Sequence, residues 1–161
     1  MHSLPIRCSS LYLRLFPPLN LPPFDYRLKR DGQKNYIFDT IRKKYVRLTP
    51  EEWVRQHVIH WLCTHHGVAA GLIGVEKPLM VNGLSKRTDI TAAANDGTFR
   101  LLVECKAPEI SLNQAVADQA LRYNMAAQIP YVWITNGIVH YLFALDRESG
   151  QYRRLDSLPA W

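Results

Sequence analysis

Leu101-Leu102-Val103-Glu104-Cys105-Lys106-Ala107-Pro108 places two charged side chains at the end of an apolar run that a proline stops. The run reads as a strand over 99–106. Side chains on a strand alternate between faces, so Glu104 and Lys106 project to one side, while Cys105 points away and turns its carbonyl back toward them. Two further strands are expected upstream, over 73–81 and 86–93, because Asn82-Gly83 and Asn95-Asp96-Gly97 are turn signals between alternating segments. The three form an antiparallel meander, and Asp89, in Arg87-Thr88-Asp89-Ile90, sits on the strand neighbouring Glu104.

A carboxylate buried in a sheet is costly unless a cation or a hydrogen-bond network compensates it. Mg²⁺ would do so through carboxylate, carbonyl and water oxygens, and Asp89, Glu104, the Cys105 carbonyl and a substrate phosphate could share its shell. Lys106 could then hold or deprotonate an attacking water, or neutralise charge developing on the phosphate. This is the pattern of a metal-dependent nuclease. The competing reading is a cross-strand ion pair at a sheet edge, since Glu-x-Lys is common by chance.

Thr49-Pro50-Glu51-Glu52 is a helix start, with Thr49 as N-cap, Pro50 at the first helical position and Glu52 closing a capping box. The helix is expected to reach about residue 66, with Val54, Val58, Trp61 and Leu62 as its apolar stripe and Gly67 as its stop. Glu51 falls on the inward stripe, either as an additional metal or water ligand or as a complement to the positive helix end. His57, His60, His65 and His66 lie on several faces, which favours solvated or capping roles over metal ligation.

A second helix is expected over 111–128, capped by Ser111, with Leu112, Ala115, Val116, Ala120 and Tyr123 inward. Gln119 and Tyr123, one turn apart, could line the cleft beside Glu104 and hydrogen-bond a phosphate; a surface glutamine and a core tyrosine are the alternative. Strands over 131–135 and 138–145 flank Asn136-Gly137. At the other end, 1–23 reads as an irregular arm carrying Pro17-Pro18 and Pro22-Pro23, followed by a hairpin over 24–38 around Asp31-Gly32. The rest is one domain over 24–161, with its core over 49–145.

With 161 residues, 47% hydrophobic and 21% charged, the chain has the composition of one globular domain. Lys and Arg outnumber Asp and Glu by 20 to 14, giving +6, which favours a polyanionic partner. Cys8, Cys63 and Cys105 form no Cys-x-x-Cys pair, which fits a reducing cytoplasm. The longest apolar run falls well short of the about 20 residues that span a bilayer, so no membrane association is expected.

The order helix, three strands, helix, strand, with Asp89, Glu104-x-Lys106 and Gln119-x-x-x-Tyr123, resembles the PD-(D/E)xK nuclease superfamily. Within it, Leu48-Thr49-Pro50-Glu51-Glu52-Trp53-Val54-Arg55-Gln56, Lys86-Arg87-Thr88-Asp89-Ile90, Leu102-Val103-Glu104-Cys105-Lys106-Ala107-Pro108 and Ile134-Thr135-Asn136-Gly137 look like the type I restriction enzyme R-subunit N-terminal domain family, over roughly 19–161. The resemblance implies an α+β restriction-endonuclease-like fold with a mixed central sheet flanked by helices.

It also implies Asp89 and Glu104 as metal ligands, Lys106 as the catalytic lysine, Glu51 as the acid of the first helix, and Gln119 with Tyr123 as an accessory motif. Mg²⁺, with Mn²⁺ as its substitute, is the implied cofactor and DNA the implied substrate. Thr88 stands where the superfamily has its naming proline. R subunits continue into an ATP-driven translocase, whereas these 161 residues contain no Gly-x-x-x-x-Gly-Lys-Ser/Thr loop. The chain is therefore expected to act alone, as a homodimer, or beside restriction-modification or motor subunits. The alternative is a non-catalytic nucleic-acid or protein-binding module that keeps the nuclease fold.

Overall fold

The computed structural model describes residues 16–81 and 83–161, so Cys8 and most of the expected arm lie outside the described residues. The N-terminal hairpin is part of a larger unit. β1 (Leu28–Asp31) and β2 (Lys34–Asp39) are joined through Gly32, whose φ of 56° suits a tight turn, and β3 (Lys44–Arg47) adds a third antiparallel strand. Lys43, at φ 53°, turns the chain into β3. Leu28, Ile37 and Val46 line one face of this sheet and pack with Trp53.

Helix α1 (Pro50–Thr64) starts where the sequence places it, and the Thr49 hydroxyl accepts the Glu52 N–H at 3.1 Å. The capping box is not reciprocated, because the Glu52 carboxylate is drawn into buried ion pairs instead. Val54, Val58, Ile59 and Leu62 pack on the central sheet. Each fully buried aliphatic side chain there contributes about 1.5–3 kcal/mol relative to exposure.

Beyond a 3-10 turn at Ala70–Leu72, the two strands expected over 73–81 and 86–93 are each broken. They form β4 (Ile73–Val75), β5 (Pro78–Val81), β6 (Leu84–Arg87) and β7 (Ile90–Ala93), with β4 paired to β7 and β5 to β6. The break falls at Glu76, φ 50°, and Asp89. Two bonds hold the chains together across it, Glu76 N–H to Asp89 O at 3.0 Å and Thr88 N–H to Lys77 O at 3.1 Å. Asp89 therefore lies between strands rather than on one. Gly74 has no alternative here, since a Cβ would meet the Thr91 hydroxyl at 2.6 Å.

β8 (Phe99–Cys105) pairs antiparallel with β7 and parallel with β9 (Tyr131–Thr135), reached through α2 (Gln114–Ala127). A parallel neighbour needs such a crossover. β10 (His140–Leu145) and β11 (Tyr152–Leu155) complete a mixed sheet of order β11-β10-β9-β8-β7-β4; β11 was not expected. Alternation assigns Leu101, Val103, Cys105 and Trp133 to the α1 face, and Val132 and Ile134 to the face covered by Leu112, Ala117 and Ala120. The fold is restriction-endonuclease-like α+β, as the sequence implied.

The cap of α2 is Asn113, whose side chain accepts the Val116 N–H at 3.1 Å, not Ser111. This later start sets a different helical phase. Ala117, Ala120 and Asn124 face inward, while Ala115 and Tyr123 are exposed. Among the described residues, no helix is long and apolar enough to cross a membrane.

Candidate active site

The site is assembled where the sheet runs out. β7 begins at Ile90, so the Cys105 N–H at the end of β8 has no strand opposite it, and Asp89, freed by the break in the hairpin, accepts that N–H on Oδ2 at 2.7 Å. Its Oδ1 accepts from Arg55 Nη2 at 2.8 Å. The same nitrogen donates to Glu51 Oε1 at 2.8 Å, so α1 delivers one cation and one acid to Asp89. Glu104 accepts from Lys106 Nζ at 2.8 Å, and this pair is partly open to water, with side chains 22% and 32% exposed.

Electrostatics couple these groups. Burial pushes the Glu51 carboxyl up, the charges of Asp89 and Glu104 add to it, and Arg55 and Lys106 oppose it without cancelling it. Burial pulls the Lys106 ammonium down, but its bond to Glu104 and the charges of Glu104, Asp89 and Glu51 outweigh that, and the net direction is up. Lys106 is thus a cation at neutral pH. The Cys105 thiol is fully buried and, chiefly for that reason, held well above its usual range. A neutral thiol is no nucleophile, which leaves only the Cys105 carbonyl for chemistry.

Asp89, Glu104, Glu51 and the Cys105 carbonyl are all oxygen donors, the kind a hard divalent cation such as Mg²⁺ takes. Among the described residues no three His, Cys, Asp or Glu side chains converge as a ready ion cage. Asp89 and Glu51 are turned to Arg55, and Glu104 to Lys106. Each carboxylate oxygen has two acceptor positions, so these bonds leave donor capacity in the acids. The residues fit such an ion in kind, and Arg55 and Lys106 supply positive charge to the same oxygens.

Glu52 is more than a helix cap. Only 4% exposed, it bonds Arg42, Arg55 at 2.5 Å and Gln56 at 2.8 Å. Arg42 also reaches Asp39 and Glu76, each at 2.6 Å, tying the N-terminal sheet to α1 and to the break beside Asp89. Arg55 belongs to both this buried cluster and the outer acids; burial pulls its ionisation down, but Glu52 and Asp89 raise it further. The i,i+3 and i,i+4 spacing of Arg55 from Glu52 and Glu51 was a usable sequence signal. Arg42 and Glu76, 34 residues apart, offered none.

The structure thus ties Asp89 to Glu51 through Arg55 and to the Cys105 N–H, and Glu104 to Lys106, and the two groups are coupled by charge. Gln119 and Tyr123 lie on the exposed side of α2, Tyr123 at 40% exposure. None of the hydrogen bonds that bind Asp89, Glu51 or Glu104 comes from Gln119.

A mixed sheet flanked by two helices, with Glu104 and Lys106 at the end of its central strand, has restriction-endonuclease-like architecture. Residues 50–159 match the family model for the type I restriction enzyme R protein N terminus (HSDR_N), and the chain belongs to that family. No curated protein sequence matches it. Among solved structures it is similar to a fragment described as an HsdR subunit of a type I restriction enzyme from Vibrio vulnificus YJ016, with 20% identity and a TM-score of 0.48. That match covers 70% of this chain and 24% of the other, so the chain spans about a quarter of that protein fragment.

Proposed function

We propose that this domain is a divalent-metal-dependent phosphodiesterase acting on DNA, within the PD-(D/E)xK superfamily. The observation that carries the reading is the Asp89 carboxylate bonded to the backbone of Cys105, the residue between Glu104 and Lys106 in the chain, and sharing Arg55 with Glu51. Asp89, Glu104 and the Cys105 carbonyl would hold Mg²⁺, with Glu51 as an outer acid. When bound, the ion would polarise the scissile phosphate and ease deprotonation of the attacking water.

Lys106, partly exposed beside Glu104, is placed to neutralise the charge that builds on the phosphate or to hold the attacking water. Arg55 holds Asp89 in place from the buried side. Membership in the R-subunit family supports action beside restriction-modification or motor subunits. Gln119 and Tyr123 are proposed to contact substrate backbone from α2.

The test is single-turnover cleavage of plasmid, linear duplex, single-stranded DNA and RNA with Mg²⁺ or Mn²⁺. Product should require metal and fall about 100-fold or more in Lys106→Ala and Asp89→Ala. Wild-type rates in both variants would sink the assignment. A second reading, binding without cleavage, is favoured by the Arg55 guanidinium already compensating Asp89. It predicts salt-sensitive DNA binding and no product with any metal.

A further inference from the structure

The N-terminal sheet lies outside the segment that matches the family model, which begins at residue 50. Residues 27–47 carry eight Lys or Arg and two Asp, a net of six that equals the net charge of the whole chain. The remainder is balanced.

Half of that charge shares one face of the sheet, Arg27, Lys29, Lys34 and Arg47, whereas Arg42 is paired in the buried cluster. Leu28, Ile37 and Val46 turn one face of the sheet to Trp53. Directly opposed residues of an antiparallel pair share a face, so the other face carries a row of Lys29, Tyr36 and Arg47. Beside it Phe38 pairs with Tyr45, their rings 5.3 Å apart at 70°, and the Arg27 guanidinium sits 3.8 Å from the Phe38 ring centroid. Tyr45 is 37% exposed, Tyr36 and Phe38 are half-buried, and Lys29, Lys34 and Arg47 are exposed. Among the described residues Lys29, Lys34 and Arg47 have no ion-pair partner.

Like charges gathered on one sheet face repel each other, a cost that nothing within the sheet relieves beyond Asp31. A phosphate backbone would relieve it. Tyr36 and Tyr45 between the cations offer rings on which unpaired bases can stack, while Phe38, covered by Arg27, backs Tyr45, and duplex bases, already stacked on one another, cannot use these rings. We infer that this face of the N-terminal sheet binds single-stranded nucleic acid, with bases on Tyr36 and Tyr45 and phosphates on Arg27, Lys29 and Arg47. The site is independent of cleavage and of any metal.

Fluorescence anisotropy in EDTA tests it, using the full chain with labelled oligothymidylate, oligouridylate and a duplex of equal length. At least one homopolymer should bind more tightly than the duplex, and the tighter of the two names the natural strand as DNA or RNA. Tyr36→Ala and Tyr45→Ala should each weaken binding about tenfold, whereas Tyr45→Phe, which keeps the ring, and Arg153→Gln on β11 should not. Lys29→Gln should lower the slope of log affinity against log salt by about 0.7. No homopolymer binding, preference for the duplex, or wild-type affinity in both alanine variants would overturn the inference. Because EDTA silences cleavage, a failed nuclease assignment leaves this result untouched.

Discussion

Two charged clusters meet at Asp89, and they differ in access to water. The inner one joins Asp39, Arg42, Glu52 and Arg55, with side chains between 0% and 12% exposed. The outer one is the Glu104–Lys106 pair, roughly a quarter exposed. The same residue types serve two purposes. Where every charge is enclosed, each carboxylate has a guanidinium, and the cluster fastens the N-terminal sheet to α1 and to the break in the hairpin. Where the pair is open, a substrate phosphate or an ion can reach it.

The largest expected effect comes from breaking the inner cluster. Arg55→Met leaves Glu52 buried without one of its two arginines and Asp89 without its inner partner, and should cost about 3–5 kcal/mol of stability in denaturant titration. Lys106→Met, which removes an open cation, should cost no more than about 1 kcal/mol. Equal losses in the two variants would erase the distinction between the clusters.

A smaller effect follows from Glu51, which stands at the boundary. Its folded pKa lies above the ordinary 4.5, so its stabilising contribution is present at low pH and lost as pH rises through that raised value. Wild type should therefore lose stability relative to Glu51→Gln as pH climbs from about 4 into the range just above 4.5, measured by thermal melting across pH. A flat difference would place Glu51 outside the coupled group.

Much of the architecture was legible because it rests on local signals. Thr49-Pro50 set the start of α1, and the alternation around Glu104 placed its side chain and that of Cys105 on opposite faces. What escaped was set by distant partners. The break at Glu76 and Asp89 is stabilised by contacts across the hairpin, and apolar periodicity reads straight through it. Glu52 looks like a cap in sequence because Arg42, its buried partner, comes from a turn in the N-terminal sheet. Asn113 and Ser111 are equally good caps in sequence, and only packing against Val132 and Ile134 selects the phase of α2. The third N-terminal strand, Lys44–Arg47, is only four residues long and half charged, so its pairing with β2 decides it.

The most direct measurement is the melting temperature with and without Mn²⁺, in wild type and in Glu104→Gln. A ligand that binds only the folded state raises its midpoint. The outer pair as an ion-accepting site predicts an upward shift in wild type that Glu104→Gln abolishes, with little change in stability without metal. No shift in wild type, or the same shift in both proteins, would contradict it.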